Sequence, residues 1–487
     1  MLENHQHNLF TYNESQYKSI VIYKTATQNR TQIMALKASP EFEKRIGIYF
    51  YSTKSDGIGG TIKTIPADFI VHEITNREER EEGKYLIAEL TKENWDTHGV
   101  IREIAHRLRV SRNRIGFAGT KDKFAVTRQK ISIWNTEENE LVRVNIADVS
   151  LNIMGRSNKA VSLGDLYGNE FEIVIRDIEG REEEVKEKID AITNEIVNNG
   201  GIPNFFGVQR FGITRPITHV VGRHLIKGDI KGAVMSYISD IFPGESEAAK
   251  EARMLCKSGN LKESLKIMPL RYERAMLNAL IKNLSFKKKA LPKKNYTLST
   301  IKDEDGFLSA FYSLPKNLQK LFVHAYQAYL FNLILSQRMK QNLPFNEAIA
   351  GDVVCFHNEF GFADPDKVER VTEDKIEGMN RLIKRGRAFV TAPIFGYETE
   401  FADGVVGEIE RKVLEDEEIE RDDFHIEKMP ELSSKGTRRP VLLPVKLREE
   451  ISEDELNPEH LKVKLNFVLP KGTYATVLLR EYMKAKS

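Results

Sequence analysis

Strand-like text at both ends of the chain, with a helical block between, is the feature that most restricts the fold. Near the start, RIGIYFYST and then GTIKTIPADFIVHEI come close to alternating apolar and polar residues. That is the period of a half-buried strand. YLIAELTKEN, RIGFAG and QKISIW read as further strands. Between them an amphipathic helix begins near Asp96–Thr97, with Ile101, Ile104, Ala105 and Leu108 on one face. Glu182 to Asn199 reads as a helix stopped by Gly200–Gly201 and Pro203. After about residue 225 the pattern turns helical, and LPKNLQKLFVHAYQAYLFNLILSQRM is expected to be a long buried helix. The acidic and basic run from Glu408 to Asp423 reads as a solvated helix face. Strand character returns after Pro440 in VLLPVKL and KVKLNFVLP, and ATVLLREYMKAK reads as a closing helix. This order predicts one sheet domain, residues 41–225 plus 441–487, interrupted by an insertion over 226–440. Residues 1–40 are a weakly patterned lead-in, and Met34 offers an alternative start for the structured chain.

Composition narrows the class. A chain of 487 residues exceeds one ordinary core. Its 41% hydrophobic and 30% charged residues are those of a soluble globular protein, and no apolar run reaches membrane-spanning length. The N-terminus lacks the basic-then-apolar pattern of a secretory signal. Cys256 and Cys355 stand far apart, which argues against a disulfide framework or a cysteine zinc site and fits the cytoplasm. His98, His106, His219 and His224 form no ligand set, and no G-x-S-x-G elbow is present. A net charge of +2 is silent about nucleic acid, so local patches must decide.

Three stretches carry candidate chemistry. In RIGFAGTKDKFAVTRQ the single acid, Asp122, lies between Lys121 and Lys123, with Arg114 and Arg128 further out. From Arg102 to Lys130, nine lysines and arginines face two acids, Glu103 and Asp122. The loop does not satisfy the phosphate-cradling G-x-x-x-x-G-K-[ST] pattern. It reads either as a plain surface turn or as a platform for a carboxylate whose ionised form the cations favour. Such a group suits a nucleophile or an electrostatic stabiliser. PNFFGVQRFG sets Phe205, Phe206 and Phe211 beside Asn204, Gln209 and Arg210. It is either a core loop or a pocket offering a nucleobase stacking faces and edge hydrogen bonds. NFVLPKGTYATVLLREY contributes Phe467, Tyr474 and Arg480 as a pocket wall or as packing. A second basic cluster runs from Arg271 to Lys294, with Glu273 its only acid.

Together FAGTKDKFAVTRQ, NFFGVQRFG, AYQAYLFNLILSQR and LPKGTYATVLLRE, with PADFIVHEI upstream, resemble the TruD family of tRNA pseudouridine synthases from about residue 45 onward. The length is similar to that of archaeal and eukaryotic members. The resemblance implies an α+β fold whose mixed, mainly antiparallel sheet is interrupted by an inserted TRUD domain. It implies Asp122 as the catalytic aspartate, Asn204 as support for its loop, Phe206 as the stacking aromatic and Arg480 as the basic partner of the aspartate. Lys121, Lys123, Arg128, Gln209, Arg210, Phe69, Phe467 and Tyr474 are the implied substrate and RNA contacts. The implied reaction isomerises a specific uridine of tRNA, position 13, without cofactor or metal. Alternatives from other classes are a non-catalytic tRNA-binding or RNA-chaperone protein and a small-molecule hydrolase.

Overall fold

Strands from the two ends of the chain join one nine-stranded sheet. Its main path runs β14 (Leu447–Glu453), β15 (Leu461–Pro470), β7 (Leu166–Ile178), β2 (Phe69–Thr75), β5 (Val126–Trp134), β3 (Tyr85–Glu93) and β6 (Val149–Ser157). Short β1 (Thr61–Ile62) pairs with β7, and β4 (Ile115–Phe117) pairs with β5. Only β2 and β5 run parallel; every other pairing in the sheet is antiparallel. The structure, a computed structural model, describes residues 36–290 and 304–484. The lead-in up to residue 35 lies outside them, as do the side chains at the lysine-rich end of the second basic cluster.

Period-two alternation decides what each strand buries. Leu86, Ala88 and Leu90 of β3 join Ile131 and Ile133 of β5 under Val100, Ile101 and Ile104 of the Thr97–Arg107 helix. Along β7 and β15, Phe171, Ile173, Ile175, Val463, Leu465 and Phe467 enter the main core. They share it with Val185, Ile189, Ile192 and Ile196, one stripe of the Glu182–Asn198 helix. Each such isoleucine contributes roughly 1.5–3 kcal/mol of burial.

The segment between the sheet's two halves holds helices and a four-stranded sheet of β10 (Ala363–Arg370), β9 (Val353–His357), β11 (Ala388–Ile394) and β12 (Thr437–Pro440). Its Lys316–Lys340 helix belongs to the same hydrophobic core as the large sheet. Asn332 on that helix donates to the carbonyls of Ile46 and Phe206, and Ser336 donates to that of Gly47. The inserted segment thus helps to hold the loop at Phe206.

Two local readings need correction. RIGIYFYST is not a strand: Glu41–Lys44 is a helical turn and Phe50 makes only an isolated bridge to Ala38. Its apolar residues Ile46 and Ile48 are buried without sheet pairing, so alternation misled. The Glu408–Asp423 run is not merely solvated. Within the Gly404–Asp416 helix Glu410 is fully buried against Arg438, and Glu417 accepts from Tyr326, Tyr329 and Arg223.

Candidate active site

The Thr97–Arg107 helix starts with Asp96 as its N-cap, accepting from the Gly99 amide at 2.8 Å. That start fixes Thr97, whose hydroxyl accepts from the Lys121 amide at 2.9 Å. Gln129 on β5 donates to the Gly119 carbonyl at 3.1 Å. Lys92, fully buried at the end of β3, donates to the carbonyls of Trp95 at 2.6 Å and Asp122 at 2.8 Å. The loop carrying Asp122 is therefore pinned through its backbone, which leaves the carboxylate to project. Asp122 is about half exposed, with its side chain at 48%. Its ion-pair partner is Lys63, with Nζ 2.6 Å from Oδ2.

Lys63 was not among the residues singled out from the sequence. It sits four residues beyond Gly59, in the bend between β1 and β2, with a positive φ of 60°. Its ammonium also lies 4.1 Å from the centroid of the Phe69 ring. Phe69 is buried and packs edge-on against Phe171, which stacks on Phe467, also buried. The structure thus places Phe69 and Phe467 in the core beneath the site, away from an RNA-facing surface. Lys121 is likewise turned inward, to Glu73 at 3.0 Å and Asn169 at 2.6 Å. Lys123 and Arg128 are exposed and open to solvent. Exposed Phe124, two residues from Asp122, went unnoticed in the sequence.

A second cluster forms around Phe206. Asn204 donates to the Pro440 carbonyl at 2.9 Å, and its Oδ1 accepts from Arg439 at 2.6 Å. It therefore makes its contacts with β12 and not with the Asp122 loop, contrary to the support role expected of it. The Arg439 guanidinium lies 4.2 Å from the Phe206 ring centroid and donates to the Gly472 carbonyl at 2.9 Å. Phe206 also packs against Phe331 and Tyr474, with centroids 5.6 Å and 6.0 Å away. Gln209 is exposed and accepts from the Thr476 hydroxyl at 2.9 Å. Gly207 permits this close approach: a Cβ there would stand 2.7 Å from Thr476 Oγ1 and 2.9 Å from Gln209 Oε1. Burial pushes Arg439 down to about 10, and neighbouring Arg210 adds to the depression.

Arg480 does not join Asp122. Its guanidinium is buried and donates to Glu43 at 2.6 Å and 3.0 Å, to Glu481 at 2.6 Å and to Ser39 at 2.6 Å. Its face lies 4.2 Å from the Tyr51 ring. The basic partner of the aspartate is Lys63, and the arginine beside the aromatic pocket is Arg439. No motif spacing marked either one.

The two clusters are joined through the sheet. Lys121 binds Asn169 on β7, which faces Leu469 on β15, and β15 leads into the turn whose Gly472 receives Arg439. A cavity of about 570 Å³ opens beside chain neighbours of both clusters and is also lined by Glu43 and Arg480. Thr61 and Ile62, just before Lys63, line it with Gly207, Val208 and Thr476; Asp122 and Phe206 lie outside its lining.

Lys92 carries a pH signature. Burial pushes it down to about 8 from an ordinary 10.5, against the pull of Asp122 and Asp96 and with Lys121 adding to the fall. Between those values the unfolded chain binds the proton and the folded one does not, so this group favours folding as pH rises there. Turnover is expected to drop several-fold as pH passes about 8 and Lys92 loses the charge beneath Asp122. Lys92→Met should lack that alkaline limb. A decline seen only where the protein unfolds would count against the assignment.

Comparison with known proteins agrees with the resemblance. The family model described as "tRNA pseudouridine synthase D (TruD)" matches residues 45–482. A relative from Methanosarcina mazei named "Probable tRNA pseudouridine synthase D" is 50% identical over 448 residues, covering 91% of this chain and 98% of its own length. One of the same name from Thermococcus sibiricus is 37% identical over 451 residues, covering 91% and 99%. A TruD crystal structure from Methanosarcina mazei superposes with a TM-score of 0.80 at 50% identity, over 92% of this chain and 99% of that one. The chain belongs to the TruD family of tRNA pseudouridine synthases.

Proposed function

We propose that this protein isomerises uridine 13 of tRNA to pseudouridine in the cytoplasm, with Asp122 as the attacking carboxylate. The observation that carries the reading is a half-exposed carboxylate, paired with Lys63, on a loop pinned through its backbone and through the inward-turned Lys121 side chain. A group so held reaches substrate without reorganising, which is how preorganised sites lower a barrier.

Among the described residues no group of three or more His, Cys, Asp or Glu side chains is placed to hold a metal, and no helix is long and apolar enough to cross a membrane. The chemistry proposed here asks for neither. The N1–C1′ bond breaks, the uracil turns, and C5 is joined to C1′, with no net redox change or hydrolysis. Addition at C1′, addition at C6 and a glycal route each use an aspartate in this position.

Phe206 and Tyr474 supply the aromatic surface beside which the freed base turns. Arg439 already covers one approach to the Phe206 ring, so Tyr474 shares the stacking role. Lys123, Arg128 and Gln209 are exposed, and these are the groups offered to the RNA backbone. The segment 226–440 is the inserted module, suited to reading RNA shape. A tRNA transcript incubated with the purified protein and mapped for pseudouridine should show the modification at position 13. Modification confined to another position would overturn that site assignment, and none at all would overturn the activity.

A further inference from the structure

The buried arginines of this protein carry carboxylate partners. Arg176 meets Asp68 and Asp454 at 2.7 Å and 2.6 Å. Arg253 meets Glu245 and Glu273, Arg338 meets Asp352, and Arg480 meets Glu43 and Glu481. Arg439 and Arg210, half-buried beside Phe206 and Tyr474, have none among the described residues. Arg439 donates only to neutral oxygens, those of Asn204 and Gly472. The Nε of Arg210 is buried and makes no hydrogen bond. The two guanidinium groups are near enough that Arg210 disfavours the charge on Arg439, and both act on Tyr474.

Two like charges held from water without a counter-ion are costly. Neighbours elsewhere in the protein neutralise such groups; here the site is left one anion short. We propose that Arg439 and Arg210 form an anion site at the aromatic pocket, filled by negatively charged oxygens of the bound RNA. The inference rests on the reading that Asp122 and Phe206 flank the target uridine.

Two sources fit that chemistry. One is the phosphate beside the extruded nucleotide. The other is the uracil itself. If Asp122 adds to C1′, the N1–C1′ electron pair leaves on N1 and the carboxylate's charge passes to the ring and its O2 and O4. When C5 then bonds to C1′, the aspartate departs as carboxylate, C5 loses its proton and N1 regains one. A pair of guanidinium groups aimed at O2 or O4 would favour that anion over the neutral ground state.

Arg210→Gln is the decisive variant, because its guanidinium makes no hydrogen bond among the described residues. Removing it should leave the thermal midpoint unchanged or raised, since repulsion with Arg439 is relieved. If the anion is uracil, tRNA affinity holds and the single-turnover rate at saturating tRNA falls about 10²-fold. If it is phosphate, affinity weakens, the salt dependence of log Kd loses about one unit of slope, and the saturated rate holds. Arg439→Lys, which keeps charge but loses the fork, should show the same kind of defect in smaller measure. Affinity and rate both within twofold of wild type for Arg210→Gln would overturn the proposal. So would a loss that only tracks a lower thermal midpoint. Asp122→Asn measured alongside separates the two levels: if it stays active the underlying reading fails, and if it is dead while Arg210→Gln is normal only the anion site falls.

Discussion

Asp122→Asn is expected to reduce pseudouridine formation by on the order of 10⁴-fold or more, the scale set by removal of a covalent nucleophile. Folding should be almost untouched. The loop is held by Lys92, Thr97 and Gln129 through backbone atoms of Gly119, Lys121 and Asp122, and none of these bonds uses the carboxylate. The lost Lys63 ion pair is partly exposed on both sides, where such pairs are worth about 0–1 kcal/mol. Affinity for tRNA should stay level or tighten slightly, because the substitution removes a negative charge from between Lys63 and Lys123. Tritium release from tRNA carrying C5-labelled uridine reads the reaction directly, since product and substrate have equal mass. Release at the wild-type rate would end the case for Asp122 as nucleophile.

The parts of this molecule that were legible in its sequence are those set by local periodicity. The Thr97–Arg107 helix, the Glu182–Asn198 helix and the β3 and β15 strands follow from which residues must face a core, and they lie where the pattern places them. The alternating text at 45–53 obeyed the same rule without forming a strand, because burial can satisfy it as well as pairing can. Asp122 stood out because a lone acid among cations is visible in one dimension. Its partner was not. Lys121 and Lys123 flank Asp122 in sequence, yet one turns in to Glu73 and Asn169 while the other faces solvent, and the pairing falls to Lys63, 59 positions away. Long side chains choose partners by tertiary distance, which no spacing rule carries. The same limit separates Arg480 from Arg439. Both are arginines near an aromatic, and only the fold shows which of them has two carboxylates already in hand.

That difference makes Arg480→Met a test with an outcome opposite to the one its motif implies. The expected result is a loss of about 3–5 kcal/mol of stability, the cost of breaking a buried ion pair from one side. Glu43 and Glu481 would be left facing each other in the interior, with Glu481 still held by the backbone amides of Ser52 and Thr53 at 3.0 Å each. The contact of the guanidinium with Tyr51 would go as well. Because these partners tie the closing Ala475–Met483 helix to the segment 39–53, the damage should concentrate where that helix meets that segment. A fall in thermal midpoint on the order of 5 °C is the readout. Chemistry should respond differently. Below the temperature at which the variant begins to unfold, its single-turnover rate at saturating tRNA should lie within about threefold of wild type, since Arg480 touches neither Asp122 nor Phe206. Replacing the carboxylates together with the arginine, as in Arg480→Met with Glu43→Gln and Glu481→Gln, should recover part of the loss, because an apolar or neutral cluster avoids the stranded charges. A variant that keeps wild-type stability and loses turnover would instead restore Arg480 to the reacting centre.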